Sequence, residues 1–91
     1  MATLHMDVDA CRSTNTNINS TKETINDQVT QIFSQVDSMV GSTWIAPGAD
    51  QFKGDFEQWR SQVMQALEAL QGLSDRFKLE IDKWESEGQS S

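Results

Sequence analysis

Apolar residues recur at every seventh position through most of this chain, in two blocks separated by one break. In the second block Ala49, Phe56, Val63, Leu70, Phe77 and Trp84 form one series. Phe52, Trp59, Ala66 and Leu73 form an interleaved one that fails only at Glu80. Two series offset by three and four residues lie along one stripe of an α-helix. Met64, Leu67 and Ile81 widen the stripe. The spacing predicts a helix over residues 48–86, roughly 58 Å long at about 1.5 Å per residue.

The first block repeats the pattern with more interruptions. Leu4, Cys11, Ile18, Ile25, Ile32 and Met39 are spaced by seven, and Val8, Val29 and Val36 supply part of a second series broken at Asn15 and Lys22. Nine of the twelve residues from Ser13 to Thr24 are Ser, Thr or Asn. These types compete with the helix by bonding nearby backbone, so local propensity opposes helix here and only the Ile18/Ile25 stripe supports it. Tertiary packing is expected to decide. Asp7 and Asp9 are candidate N-caps, because a short carboxylate accepts from the open amides of a first turn. The expected helix, residues 7–41, is about 52 Å long.

Between the blocks lies Gly41-Ser42-Thr43-Trp44-Ile45-Ala46-Pro47-Gly48. Glycine can take the left-handed conformation that ends a helix, proline suits the first turn of the next, and the residue before a proline avoids the helical region. The expected layout is all-α, a single domain over 1–91. It is an antiparallel two-helix hairpin with a turn at 42–47 and a flexible tail at 87–91. Such a hairpin buries only one seam, and Phe33, Val40, Met64, Leu67 and Ile81 are expected to stay partly exposed beside it. Packing two hairpins into an elongated four-helix bundle, with axes near 20°, covers them. The expected core and dimer interface comprises Ile18, Ile25, Ile32, Phe52, Phe56, Trp59, Val63, Leu70 and Phe77.

Composition narrows the function classes. With 91 residues the chain has little room for a core and a substrate pocket together. Seven Lys+Arg against 14 Asp+Glu give a net charge of −7, divided as −3 before Ala49 and −4 from there on. That balance disfavours nucleic-acid backbones and stable membrane insertion or anionic lipid. The cluster Glu80, Asp82, Glu85 and Glu87, interleaved with Lys78 and Lys83, reads as a solvated face. One cysteine forms no internal disulfide, and Cys11 reads as a small buried apolar residue. His5, Asp7, Asp9 and Cys11 match no zinc spacing. No nucleophile and base pair, phosphate loop or carboxylate pair stands in a pocket-forming context. No catalytic residue, metal or cofactor is expected. Neither a cleavable signal nor a run of about 20 apolar residues is visible, so the product is expected to be made in the cytoplasm and stay there unless exported by a non-cleaved route.

Trp44-Ile45-Ala46-Pro47-Gly48-Ala49-Asp50-Gln51-Phe52, at mid-length between two amphipathic helices of a chain under 100 residues, resembles the WXG100 (ESAT-6-like) pattern. The resemblance covers nearly the whole chain. It implies a helical hairpin that dimerises with itself or with a related small hairpin protein. It also implies export by a type VII (ESX/Ess) secretion system with its secretion ATPase, as substrate or as adapter. The turn motif maps onto Trp44, Ala46 and Gly48, with Ala46 standing where the pattern has glycine. Many exported members carry Tyr-x-x-x-Asp/Glu after the second helix; this chain has no tyrosine, and Trp84 with Glu87 is the candidate export signal in its place. The alternative left by the residues alone is a cytoplasmic structural coiled-coil subunit with no export role.

Overall fold

A computed structural model describes residues 4–87. Two helices account for its regular structure, α1 (Val8–Met39) and α2 (Pro47–Glu87). They run antiparallel, since Arg12 meets Asp82 and Glu85 at one end while Asp37 meets Lys53 at the other. The rod measures 67 × 21 × 18 Å. Its 20.4 Å radius of gyration far exceeds the roughly 12 Å of a compact chain this long.

The ends of α1 are set by local chemistry. Asp7 caps it, with an extended backbone and a carboxylate that accepts from the Ala10 amide at 3.0 Å. Asp9 adds negative charge to the first turn, where it complements the helix dipole. At the other end the Val40 amide makes the last bond, to the Val36 carbonyl. Gly41 then takes φ +91°. The amides of Ser42, Thr43 and Trp44 converge on the Met39 carbonyl at 3.0–3.2 Å, and Gly41 donates back to the Trp44 carbonyl at 3.0 Å. Ser42 Oγ also donates to the Ser38 carbonyl. α2 starts at Pro47, one residue inside the expected turn, where a missing N–H costs nothing. It takes in Glu87, the first residue of the expected tail; residues 88–91 lie outside the described residues.

The Ser/Thr/Asn-rich stretch from Ser13 to Thr24 is helical throughout. Part of its side-chain bonding is turned inward along the helix, Asn19 Nδ2 to the Asn15 carbonyl and Thr24 Oγ1 to the Ser20 carbonyl, both at 3.0 Å. Asn15, Asn19 and Lys22 bond across the seam to α2, so packing overrides propensity here.

The seam departs from the expected one on α2. The central series from Ala49 onward does face α1. Its companions, however, are Lys53, Arg60, Leu67, Ser74 and Ile81 rather than Phe52, Trp59, Ala66 and Leu73. Ile81, expected to stay partly exposed, is 1% exposed, and Ser74 is 3%. Full burial of an isoleucine contributes roughly 1.5–3 kcal/mol. Phe33, Val40, Met64 and Leu67 are half-buried. On α1 the buried series is Val8, Asn15, Val29 and Val36, with half-buried Lys22 completing the spacing. Asn15 and Lys22, which interrupt the apolar pattern, are therefore seam residues.

Candidate functional site

The two sides of the hairpin differ in chemistry. One is bonded and polar. Arg12 Nη2 donates to Asp82 Oδ1 at 3.0 Å and Glu85 Oε1 at 2.9 Å, and Lys78 Nζ reaches Asp82 Oδ2 at 3.2 Å. Asp82 and Glu85 thus tie α2 to the start of α1 instead of facing only water. The Arg12 bond, then Lys78, holds the Asp82 carboxyl below the ordinary aspartate range. The Asp82 and Glu85 carboxylates push Arg12 up. Further along, Lys22 Nζ bonds Gln71 Oε1. Arg60 places its guanidinium 4.4 Å from the Phe33 ring centroid, a cation–π contact. Lys53 pairs with Asp37 at 2.6 Å, which raises the lysine. A shallow groove of about 310 Å³ opens on this side over Met64 and Leu67, rimmed by Glu23, Asn26 and Glu68.

The opposite side carries the expected interface residues and is short of partners. Residues one step around each helix from the bonded ones fall there together: Ile18, Ile25 and Ile32 from α1, Phe52, Trp59, Ala66 and Leu73 from α2. Phe52 is 40% exposed, Trp59 and Ile32 are 45%, and Leu73 is 58%. Ile18, Ile25, Val63, Leu70 and Phe77 are half-buried between this flank and the seam. Near the turn the rings chain together, with centroids of Trp44–Phe52 at 5.8 Å, Phe52–Phe56 at 6.3 Å and Phe56–Trp59 at 5.2 Å. Phe33 stacks on Phe56 at 6.2 Å. Offset aromatic contacts of this kind make a preorganised apolar surface.

At the turn, Trp44 is 40% exposed and Ile45 77%. The indole lies over Gly48, its Cζ2 being 3.8 Å from where a Cβ would stand. Ala46 gives its carbonyl to the Ala49 amide, opening α2. Among the described residues the left-handed backbone falls on Gly41 and not on Ala46. Trp84 is half-buried at the far end of α2, and Glu87 is exposed on its last turn. The turn motif and the Trp84/Glu87 pair therefore occupy opposite ends of one hairpin. Cys11 is half-buried, in line with Ile18 on the apolar side. Among the described residues no three His, Cys, Asp or Glu side chains gather as a metal site, and no helix is long and apolar enough to cross a membrane.

The fold is a small all-α helical hairpin with a bonded polar side, an aromatic apolar flank and a tryptophan turn. The chain belongs to the WXG100 family, described as proteins of 100 residues with WXG, whose model matches residues 3–89. The family comprises small, non-enzymatic helical proteins of type VII secretion, which typically form dimers with themselves or with partners. No curated protein and no solved structure matched the chain.

Sequence reasoning missed the bonded side. Asn15, Lys22 and Arg12 carry no apolar signal; the clue available was that Asn15 and Lys22 keep the seven-residue spacing of Val8, Val29 and Val36.

Proposed function

We propose that this protein is a dimerising substrate or adapter of a type VII secretion system. Two hairpins pair through the flank of Ile18, Ile25, Ile32, Phe52, Trp59 and Leu73 into an elongated four-helix bundle. The observation that carries this reading is that flank: a continuous apolar strip on a hairpin whose other side is already tied together by ion pairs and hydrogen bonds. Its scale is right. The chain exposes 6791 Å², against about 5,300 Å² for a compact monomer of this mass. The excess is ample for the roughly 800 Å² per partner of a stable interface.

In an antiparallel pair the Trp44, Ala46 and Gly48 turn of one hairpin lies near the Trp84/Glu87 end of the other, so that a recognition surface for the secretion machinery is built from both chains. The protein then leaves the cytoplasm without a cleaved signal peptide.

Two measurements test this. Sedimentation at tens of micromolar is expected to give the mass of two chains; a monomer with full helicity overturns the pairing. In a host with the secretion system, intact protein is expected in the medium only when the secretion ATPase is present. Trp84→Ala is expected to lower the melting temperature somewhat, since the half-buried indole packs toward α1, and to abolish export even at temperatures where the hairpin remains fully helical. Accumulation solely in the cytoplasm favours a structural coiled-coil subunit instead.

A further inference from the structure

Two flanks of α2 compete for α1. Both adjoin the central series that starts at Ala49: one carries Phe52, Trp59 and Leu73, the other Arg60, Ser74 and Ile81. Burial of apolar area is the dominant favourable contribution to helix packing, so by hydrophobicity alone the aromatic flank should turn inward. The opposite is observed. Ser74 is 3% exposed while Trp59 is 45% and Leu73 58%.

The difference lies in what faces Ser74. Asn15 Nδ2 donates to the Ser74 carbonyl at 3.2 Å, and Ser74 Oγ donates to Asn15 Oδ1 at 2.7 Å. Asn19 Nδ2 donates to Ser74 Oγ at 2.8 Å. One turn away, Lys22 and Gln71 bond across the same seam. We propose that the Asn15–Asn19–Ser74 layer is the selector that fixes the rotation of α2 against α1 and so leaves the aromatic flank open to a second chain. Turning α2 by about half of its 100° residue step would bring the aromatic flank onto α1. It would also carry Ser74 off the seam and leave the Asn15 amide, 9% exposed, among apolar side chains without its partners. An orphaned buried amide is costly, whereas a paired one is nearly neutral. A single buried Asn fixes register in coiled coils by the same asymmetry. The layer acts by penalising the competing arrangement.

The consequence for pairing rests on the function proposed above, but the selector itself is testable in the single chain. With Trp44→Phe and Trp84→Phe, Trp59 becomes the sole fluorophore and reports which flank is buried. Samples are diluted below the pairing midpoint. Asn15→Val/Asn19→Leu/Ser74→Ala is expected to keep its helicity, blue-shift the Trp59 emission and cut acrylamide quenching several-fold. At higher concentration its pairing is expected to weaken by about tenfold in Kd. Val29→Ala, which loosens the seam away from the layer, is expected to leave Trp59 as accessible as in the parent. Should the triple variant lose helicity, Ser74→Ala alone carries the test, with a smaller fall in quenching expected. Unchanged Trp59 accessibility in a folded layer variant overturns the proposal. If the parent never pairs, the proposed function fails while the Trp59 measurement still decides the selector.

Discussion

Gly41 is the residue where backbone geometry constrains the side chain most. Its φ of +91° is a conformation that costs an L-residue about 1–2 kcal/mol. Gly41→Ala is therefore expected to lower the melting temperature by several degrees, although nothing stands within 4 Å of the new Cβ. Gly72 lies exposed in the interior of α2 with open space around it, and Gly72→Ala is expected to stabilise by about 1 kcal/mol. Ala46 is the instructive contrast. It occupies the glycine place of the family pattern without a left-handed backbone, so Ala46→Gly is expected to bring no gain in melting temperature. Alanine is accepted there because the turn draws its conformational freedom from Gly41, five residues earlier in the sequence.

At the scale of the elements, the Arg12–Asp82–Glu85 clasp fastens the start of α1 to the end of α2. Asp82 titrates below the ordinary aspartate range because Arg12 and then Lys78 bond its charged form. A depressed carboxylate contributes stability that is complete above its unfolded pKa and is lost as pH falls through the lower, folded value. The melting temperature is thus expected to fall on acidification through that acidic window. The fall should be smaller for Asp82→Asn, and raised salt should shrink the difference because the pair is solvent-exposed. A matching acid dependence in the variant would remove Asp82 as a contributor. α1 itself shows why a helix can run through Ser13–Thr24: its weak formers Asn15 and Asn19, together with Lys22, bond to α2, which the isolated segment cannot do.

For the whole molecule, exposed apolar side chains are not equivalent. Trp59 at 45% belongs to the continuous flank, whereas Leu79 at 68% lies on the far side of α2 from the seam, three residues beyond Arg76 and four before Lys83. If hairpins pair as proposed, Trp59→Asp is expected to give the mass of one chain at tens of micromolar with helicity retained, while Leu79→Asp is expected to leave the mass of the parent unchanged. Equal effects of the two, read by light scattering, would count against a localised pairing face. The extent of the rod, 67 Å, spreads that face over many turns. A charge at Trp59 would break the run of rings from Trp44 to Trp59 that touch in sequence near the turn.

The two helices and the break between them were legible in the chain's own spacing. Seven-residue spacing defined two helices and their apolar stripes, Gly41 and Pro47 marked the break, and the near-equal blocks required a hairpin. Those features are local, because spacing within one helix states which residues share a face. The rotation of α2 about its axis, and with it which flank is seam and which is surface, is set only by contacts between the two helices. Phe52 and Lys53 head neighbouring series that flank the same central stripe, so periodicity admits both arrangements. The choice rests on bonds from Asn15 to Ser74 and from Arg12 to Glu85, 59 and 73 residues apart in the chain. Such pairings have no signature in either helix alone, since a polar residue on an apolar stripe reads as an interruption until its partner across the seam is known.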